Sequence, residues 1–266
     1  MKTFILIHGS YHAAWNWHKV IPLLERNGHR GISLDMPGHG LDKMPMQKVT
    51  FKDCVQKVVA AMHQIEGKVI LLAHSRNGII ISQAAEECPE KVEKLIYLAS
   101  YLIPNGKSMM DYALLDTESL VFQNVLPKIN VKLANRLNQS FVGFKKHIIS
   151  YLLPKKLKTH KLSPHIFKEA LYHDCPDEIT ELANVLLTDE PNLGGFEKLN
   201  LTKERYGKIP KIYIECLQDR AVTLMIQRKM QEDSPCNAVY KMDTSHSPFF
   251  SKPQELCEIL CEIATT

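Results

Sequence analysis

A chain of 266 residues with 45% hydrophobic content can bury one large core plus an accessory segment. Lys and Arg total 33 against 29 Asp and Glu, and a net charge of +4 is too mild to imply nucleic acid as a partner. Seven scattered cysteines, with no CxxC and no Cys/His pair at metal-ligand spacing, fit reduced thiols in a cytoplasmic protein, and no run approaches the ~20 apolar residues of a membrane span.

Residues 3–8, Thr-Phe-Ile-Leu-Ile-His, predict a continuous apolar strand, as when both faces of a parallel sheet are covered. The run is too short for a leader's apolar region and passes directly into the loop after His8-Gly9. Trp15 to Arg26 predicts a helix with Trp17, Val20, Ile21 and Leu24 on one side, stopped by Asn27-Gly28; residues 30–35 predict a second strand. The apolar positions 51, 55, 58, 59, 62 and 65 have the period of a helix from about Phe51 to Ile65, and Gly67 ends it. Strand 68–73, an unusually apolar helix 78–88 closed by Pro89, and strand 92–99 follow. From about Ile103 to Tyr206 the rhythm breaks into helix-like pieces separated by Pro104-Asn-Gly, Leu153-Pro154 and Pro191-Asn-Leu-Gly-Gly. A strand at 211–216, a helix near 223–231, a strand at 237–242 and a helix at 252–264 then resume the alternation. The pattern predicts a mainly parallel α/β sheet of about six strands, with residues 1–102 and 207–266 as core and 103–206 as an inserted helical lid.

Three polar residues follow the ends of three different predicted strands: Ser75 after 68–73, Asp219 after 211–216, and His246 after 237–242. Each has a plain alternative, as a helix cap, an exposed turn or a loop residue. In an open parallel sheet, though, the strand ends share one crevice, where these three side chains can meet. A hydroxyl needs an adjacent base to act as a nucleophile, and the base needs an ionised partner. Asp243 lies nearer His246 in the chain but on the same strand end, so Asp219 is the expected acid. Ala73-His74-Ser75-Arg76-Asn77-Gly78 suits a nucleophile elbow, whose usual form is G-x-S-x-G. Ala73 adds one methyl to that pattern, and Asn77 is the residue expected to weaken the corner. Backbone N–H groups of Ser10 and Arg76 are the expected oxyanion donors, since Gly9 lets the first loop turn inward.

His8-Gly-Ser-Tyr-His-Ala-Ala-Trp-Asn-Trp, Leu34-Asp-Met-Pro-Gly-His-Gly, the Ser75 elbow, Cys216-Leu-Gln-Asp-Arg-Ala-Val and Thr244-Ser-His-Ser-Pro-Phe-Phe resemble one branch of the α/β-hydrolase superfamily. That branch holds plant methyl esterases, polyneuridine aldehyde esterase, hydroxynitrile lyases and related bacterial carboxylesterases. The resemblance covers essentially the whole chain. It implies an α/β-hydrolase fold without the usual first two strands, the triad Ser75, Asp219 and His246, Ser10 and Arg76 at the oxyanion, no metal and no cofactor. It implies a small-molecule ester as partner, with relatives often pairing into homodimers through surface helices.

The lyases of the branch need a lysine after the histidine and a threonine in the first loop, where this chain has Ser247 and Gly9. Hydrolysis of small to medium carboxylic esters is therefore the expected activity. Gly9, Tyr11, Leu102, Phe122, Phe141, Phe144 and Phe167 are the candidate substrate-binding residues. A ligand-binding protein on a weakened hydrolase scaffold is the alternative that Asn77 leaves open. The basic run Lys155-Lys-Leu-Lys-Thr-His-Lys prompts a third reading, a lipid-facing lid, against the plainer one of a solvated helix face.

Overall fold

The strand that leads to Ser75 is apolar at every position before His74, because both of its faces are covered. In the computed structural model, which describes residues 1–126, 159–191 and 193–266, β3 (Val69–His74) is buried along its whole length. Val69, Leu71 and Ala73 join the apolar cluster on one side of the sheet, while Ile70 and Leu72 join the cluster on the other. That is the alternation a strand's two-residue period imposes. In β1 (Thr3–Ile7), Ile5 and Ile7 take the first side and Phe4 and Leu6 the second.

Six parallel strands stand in the order β2-β1-β3-β4-β8-β9, where β2 is Arg30–Leu34, β4 Val92–Leu98, β8 Lys211–Cys216 and β9 Ala238–Met242. One row across the sheet reads Ser33, Leu6, Leu72, Ile96, Ile212, Ala238. This register brings the carboxyl ends of the strands to a common rim. The chain runs from β1 out to β2 and returns past β1 to β3, so the direction of winding changes between β1 and β3, the place where open parallel sheets of this kind bind their ligands.

α1 (Val20–Arg26) and the C-terminal helix Pro253–Thr265 cover one face through Val20, Leu24, Leu256, Leu260 and Ile263. α2 (Phe51–His63) and α3 (Gly78–Glu87) cover the other through Val55, Val58, Met62, Ile80 and Ala84. Each fully buried aliphatic side chain is worth roughly 1.5–3 kcal/mol. α2 starts where Thr50 and Asp53 form a capping box: Asp53 N–H donates to Thr50 Oγ1 at 3.2 Å and Thr50 N–H to Asp53 Oδ2 at 2.9 Å.

The predicted helix 15–26 is divided, with a 3-10 turn at Ala14–Trp17 ahead of α1. There Trp15 stacks on Phe250 and Trp17 packs against Phe249, so tertiary contacts override the helical period. Between β4 and β8 the expectation of helices alone needs correction. Beside the helices Met109–Ala113, Leu120–Asn124, Phe167–Leu171 and Asp177–Leu186 stands an antiparallel sheet of β5 (Val125–Leu126), β6 (Thr159–Leu162) and β7 (Glu190–Pro191). Strands of two and four residues are too short to leave a periodic trace. No helix among the described residues is long and apolar enough to cross a membrane.

Candidate active site

Among the described residues, three that are not glycine have a left-handed backbone: Tyr11 (φ 67°), Ser75 (φ 56°) and Ala99 (φ 42°). They follow β1, β3 and β4, so the strain sits along one rim of the sheet. Such a conformation costs of order 1–3 kcal/mol and persists where its surroundings fix it. Ser75 is fixed through its carbonyl, which accepts from Tyr101 N–H at 3.0 Å and Ser100 Oγ at 2.5 Å. Two glycines allow the corner to close. A Cβ on Gly78 would lie 2.5 Å from both Ser100 Oγ and Tyr101 O, and one on Gly9 would lie 2.6 Å from His74 Nδ1 and 2.8 Å from Ser75 Cβ. The glycine that the elbow pattern puts at 77 thus does its work at 78. Asn77 has an ordinary φ of −76° and its amide donates to His8 O at 2.6 Å.

His246 Nδ1 lies 2.6 Å from Asp219 Oδ2, and both side chains are buried. Asp219 Oδ1 accepts from Ala221 N–H at 2.7 Å and Val222 N–H at 2.9 Å. An acceptor-only carboxylate facing Nδ1 makes that nitrogen the donor and leaves the lone pair on Nε2. Asp243 is exposed and accepts instead from Gln218 Nε2 at 2.7 Å. His74, directly before Ser75, donates from Nε2 to the carbonyl of His246 at 2.8 Å, with the ring centroids 4.3 Å apart. Burial above all, then the neighbouring His246 and His12, hold the His74 pKa far below its ordinary value. A neutral imidazole thus joins the serine corner to the His246 loop.

The family model described as "Alpha/beta hydrolase family" matches residues 4–259. The chain belongs to the α/β-hydrolase family. Methylesterase 9 of Arabidopsis thaliana is 33% identical to this hydrolase, over 99% of the chain and 98% of the relative. Methylesterase 1 of the same plant is 30% identical over 99% and 96%. Among solved structures, tomato methylketone synthase I complexed with 2-tridecanone shares the fold with a TM-score of 0.81 at 24% identity, covering 99% of this chain and 98% of that one. Polyneuridine aldehyde esterase gives 0.76 at 22% identity, with 99% of each chain covered.

In this α/β hydrolase the loop after β1 is tied from both sides. His12 Nδ1 donates to Ser10 O at 2.7 Å, and its Nε2 accepts from the Tyr172 hydroxyl. Tyr11 O accepts from Thr188 N–H at 2.9 Å, while Tyr11 N–H donates to Glu190 Oε2 at 2.7 Å. Among the described residues the Ser10 N–H donates no hydrogen bond to protein. Arg76, one residue past the corner, sends its side chain to the same carboxylate, Nη1 to Glu190 Oε1.

Of the expected pocket residues, Tyr11 and Phe167 line a cavity of about 210 Å³ together with Leu162, Pro164, Asn184 and Leu187. Gly9 lies against Ser75. Leu102 is fully buried in the cluster beneath α2 and α3, and Phe122 packs half-buried against it. Phe141, Phe144 and Lys155 to Lys158 lie outside the described residues. Three contributors are absent from the sequence reading: Glu190, whose two-residue strand gives no signal, and His12 and His74, which the motifs contain without marking a role. Among the described residues no group of His, Cys, Asp and Glu could hold a metal ion.

Proposed function

We infer that this α/β hydrolase is a carboxylic ester hydrolase, a serine esterase that cleaves small to medium esters through an acyl-enzyme on Ser75, with His246 as base and Asp219 as its orienting acid. The observation that carries the reading is the 2.6 Å hydrogen bond from His246 Nδ1 to Asp219, on the same rim as a serine held at φ 56°. With Nδ1–H committed to the carboxylate, Nε2 is the nitrogen that can take the serine proton.

Ser75 Oγ bonds to the ester carbonyl carbon as its proton passes to His246 Nε2. The carbonyl oxygen becomes an alkoxide, held by the Ser10 and Arg76 N–H groups. Collapse breaks the bond to the alcohol oxygen, which leaves with the proton from His246. Water then gives a proton to the same nitrogen and attacks the acyl carbon. Ser75 Oγ departs with that proton and the carboxylic acid is released. The relatives called methylesterases make methyl esters of small acids the natural substrates to follow once turnover is established.

The test is hydrolysis of p-nitrophenyl acetate, butyrate and octanoate by the wild type and by Ser75→Ala. We expect turnover that falls at least ~1,000-fold in the variant, with the chain-length preference sizing the pocket. Folded wild type that turns over none of these esters, or turnover that survives in Ser75→Ala, overturns the reading. A tight ligand without turnover would then favour a binding protein on the hydrolase scaffold.

A further inference from the structure

Glu190 is a buried carboxylate that none of the steps above uses, and it touches both sides of the candidate oxyanion site. Its Oε2 accepts from Tyr11 N–H at 2.7 Å, the amide next along the chain from Ser10, and lies 3.2 Å from His39 Nε2. Its Oε1 takes Arg76 Nη1. The segment bearing it is seated on the same loop by Thr188 N–H to Tyr11 O at 2.9 Å. In addition, His160, paired with Glu190 across β6 and β7, sets its ring 5.5 Å from that of Tyr11, edge to face.

We propose that Glu190 is a positioning residue for the oxyanion hole and that the Arg76 guanidinium neutralises it, so that seating β7 on the first loop and completing the hole are one event. The inference rests on the esterase reading. Its physical core is a conflict of charge. A bare carboxylate one peptide unit from the Ser10 N–H opposes the negative charge that grows on the substrate oxygen. At an effective dielectric constant of about 20, one unit charge some 7 Å away slows the step roughly 50-fold. Arg76 cancels that field while the carboxylate still fixes Tyr11. Burial pushes His39 down to about 4, so at neutral pH its single N–H serves either Pro37 O, 3.1 Å from Nδ1, or Glu190 Oε2, 3.2 Å from Nε2, and the ring brings no compensating charge. Arg76 is therefore the counter-charge, and its side chain has a role separate from its backbone N–H.

A pair that merely docks the cap segment predicts similar losses whichever partner is removed. The charge argument predicts asymmetry. We would measure kcat and KM on p-nitrophenyl acetate, with thermal melts, for Arg76→Leu, Arg76→Lys, Glu190→Gln and the double variant Arg76→Leu/Glu190→Gln, which removes both charges and keeps the acceptor for Tyr11 N–H. Arg76→Leu should lose at least ~30-fold in kcat, with KM within threefold of wild type. Glu190→Gln, which keeps an acceptor for Tyr11 N–H, should lose at least tenfold less. Arg76→Lys and the double variant should each recover at least tenfold over Arg76→Leu. Should Arg76→Leu fail to fold, Arg76→Gln replaces it with the same expectation. Equal losses in Arg76→Leu and Glu190→Gln, or a double variant no better than Arg76→Leu, overturn the inference while Ser75-dependent turnover stands. Wild type without that turnover overturns the esterase reading itself.

Discussion

The Asn77 amide donates to the His8 carbonyl at 2.6 Å, which ties the corner after β3 to the end of β1. Both groups are buried. In a serine elbow built on two glycines this carbonyl would need another donor. Here the larger residue at 77 supplies it, while Gly78 provides the close approach to Ser100 and Tyr101.

Replacing Asn77 by Gly should therefore destabilise the fold rather than improve the catalyst. A buried carbonyl left without its donor costs roughly 1–3 kcal/mol. In a chain of this size that lowers the melting midpoint by ~2–12 °C. Ester turnover should stay within about threefold of wild type. A variant that melts no lower and turns over several-fold faster would show that Asn77 weakens the corner.

Gly9→Ala tests the opposite feature, an absence of side chain. The new Cβ would meet the His74 ring at 2.6 Å and Ser75 Cβ at 2.8 Å. Neither neighbour is a flexible chain end: His74 is anchored on His246 O, and Ser75 is fixed by its own backbone. The loop bearing the Ser10 N–H must move instead, so kcat should fall ~100-fold or more, as on losing an oxyanion donor. Steady-state kinetics alongside a circular-dichroism melt separate this from unfolding, and unchanged kcat would exclude Ser10 from the hole.

These two positions mark where the sequence was readable and where it was not. The strands that carry Ser75, Asp219 and His246 are local patterns of five or six residues, so their ends, and the residues just after them, follow from periodicity and chain order. The contact between Arg76 and Glu190 spans 114 positions and ends in a strand of two residues. No local pattern encodes such a pairing. Asn77 lies between the two cases: the motif flagged the departure, but the sign of its effect depends on a carbonyl 69 residues away.

Asp219→Asn should remove activity by reversing a tautomer. The two backbone N–H groups of Ala221 and Val222 occupy Oδ1, so the amide oxygen of asparagine will take that place. Its NH2 then faces His246 Nδ1 and forces that nitrogen to accept, which moves the ring proton to Nε2. The base is lost, and kcat should drop ~1,000- to 10,000-fold with KM little changed. The ring proton could be located by nitrogen-15 shifts of His246. A variant keeping more than a tenth of wild-type kcat would mean that another group orients His246.

Acid stability should report on four imidazoles that are buried neutral: His39, which burial pushes down to about 4, and three others. His8 donates from Nδ1 to Gly9 O at 2.8 Å and accepts at Nε2 from Met36 N–H at 3.1 Å. His12 donates to Ser10 O and accepts from Tyr172, and His74 donates to His246 O. Burial is the largest cause in each case, holding His8 and His74 far below the ordinary value and His12 at about 3. In the unfolded chain these rings titrate near ~6.5. Below that pH the unfolded state binds protons that the folded state refuses, so stability is full above ~6.5 and is lost as the pH falls toward the folded values. Each ring contributes a slope of up to ~1.4 kcal/mol per pH unit. Between pH 6.5 and 5 carboxylates with ordinary pKa values stay largely ionised, which assigns the slope to histidine. The melting midpoint should fall steadily from pH 7 to pH 5, and His12→Gln, which cannot take the proton, should flatten the decline. A midpoint independent of pH across that window would mean that these rings are protonated in the folded protein and that the tautomers drawn from their hydrogen bonds are wrong.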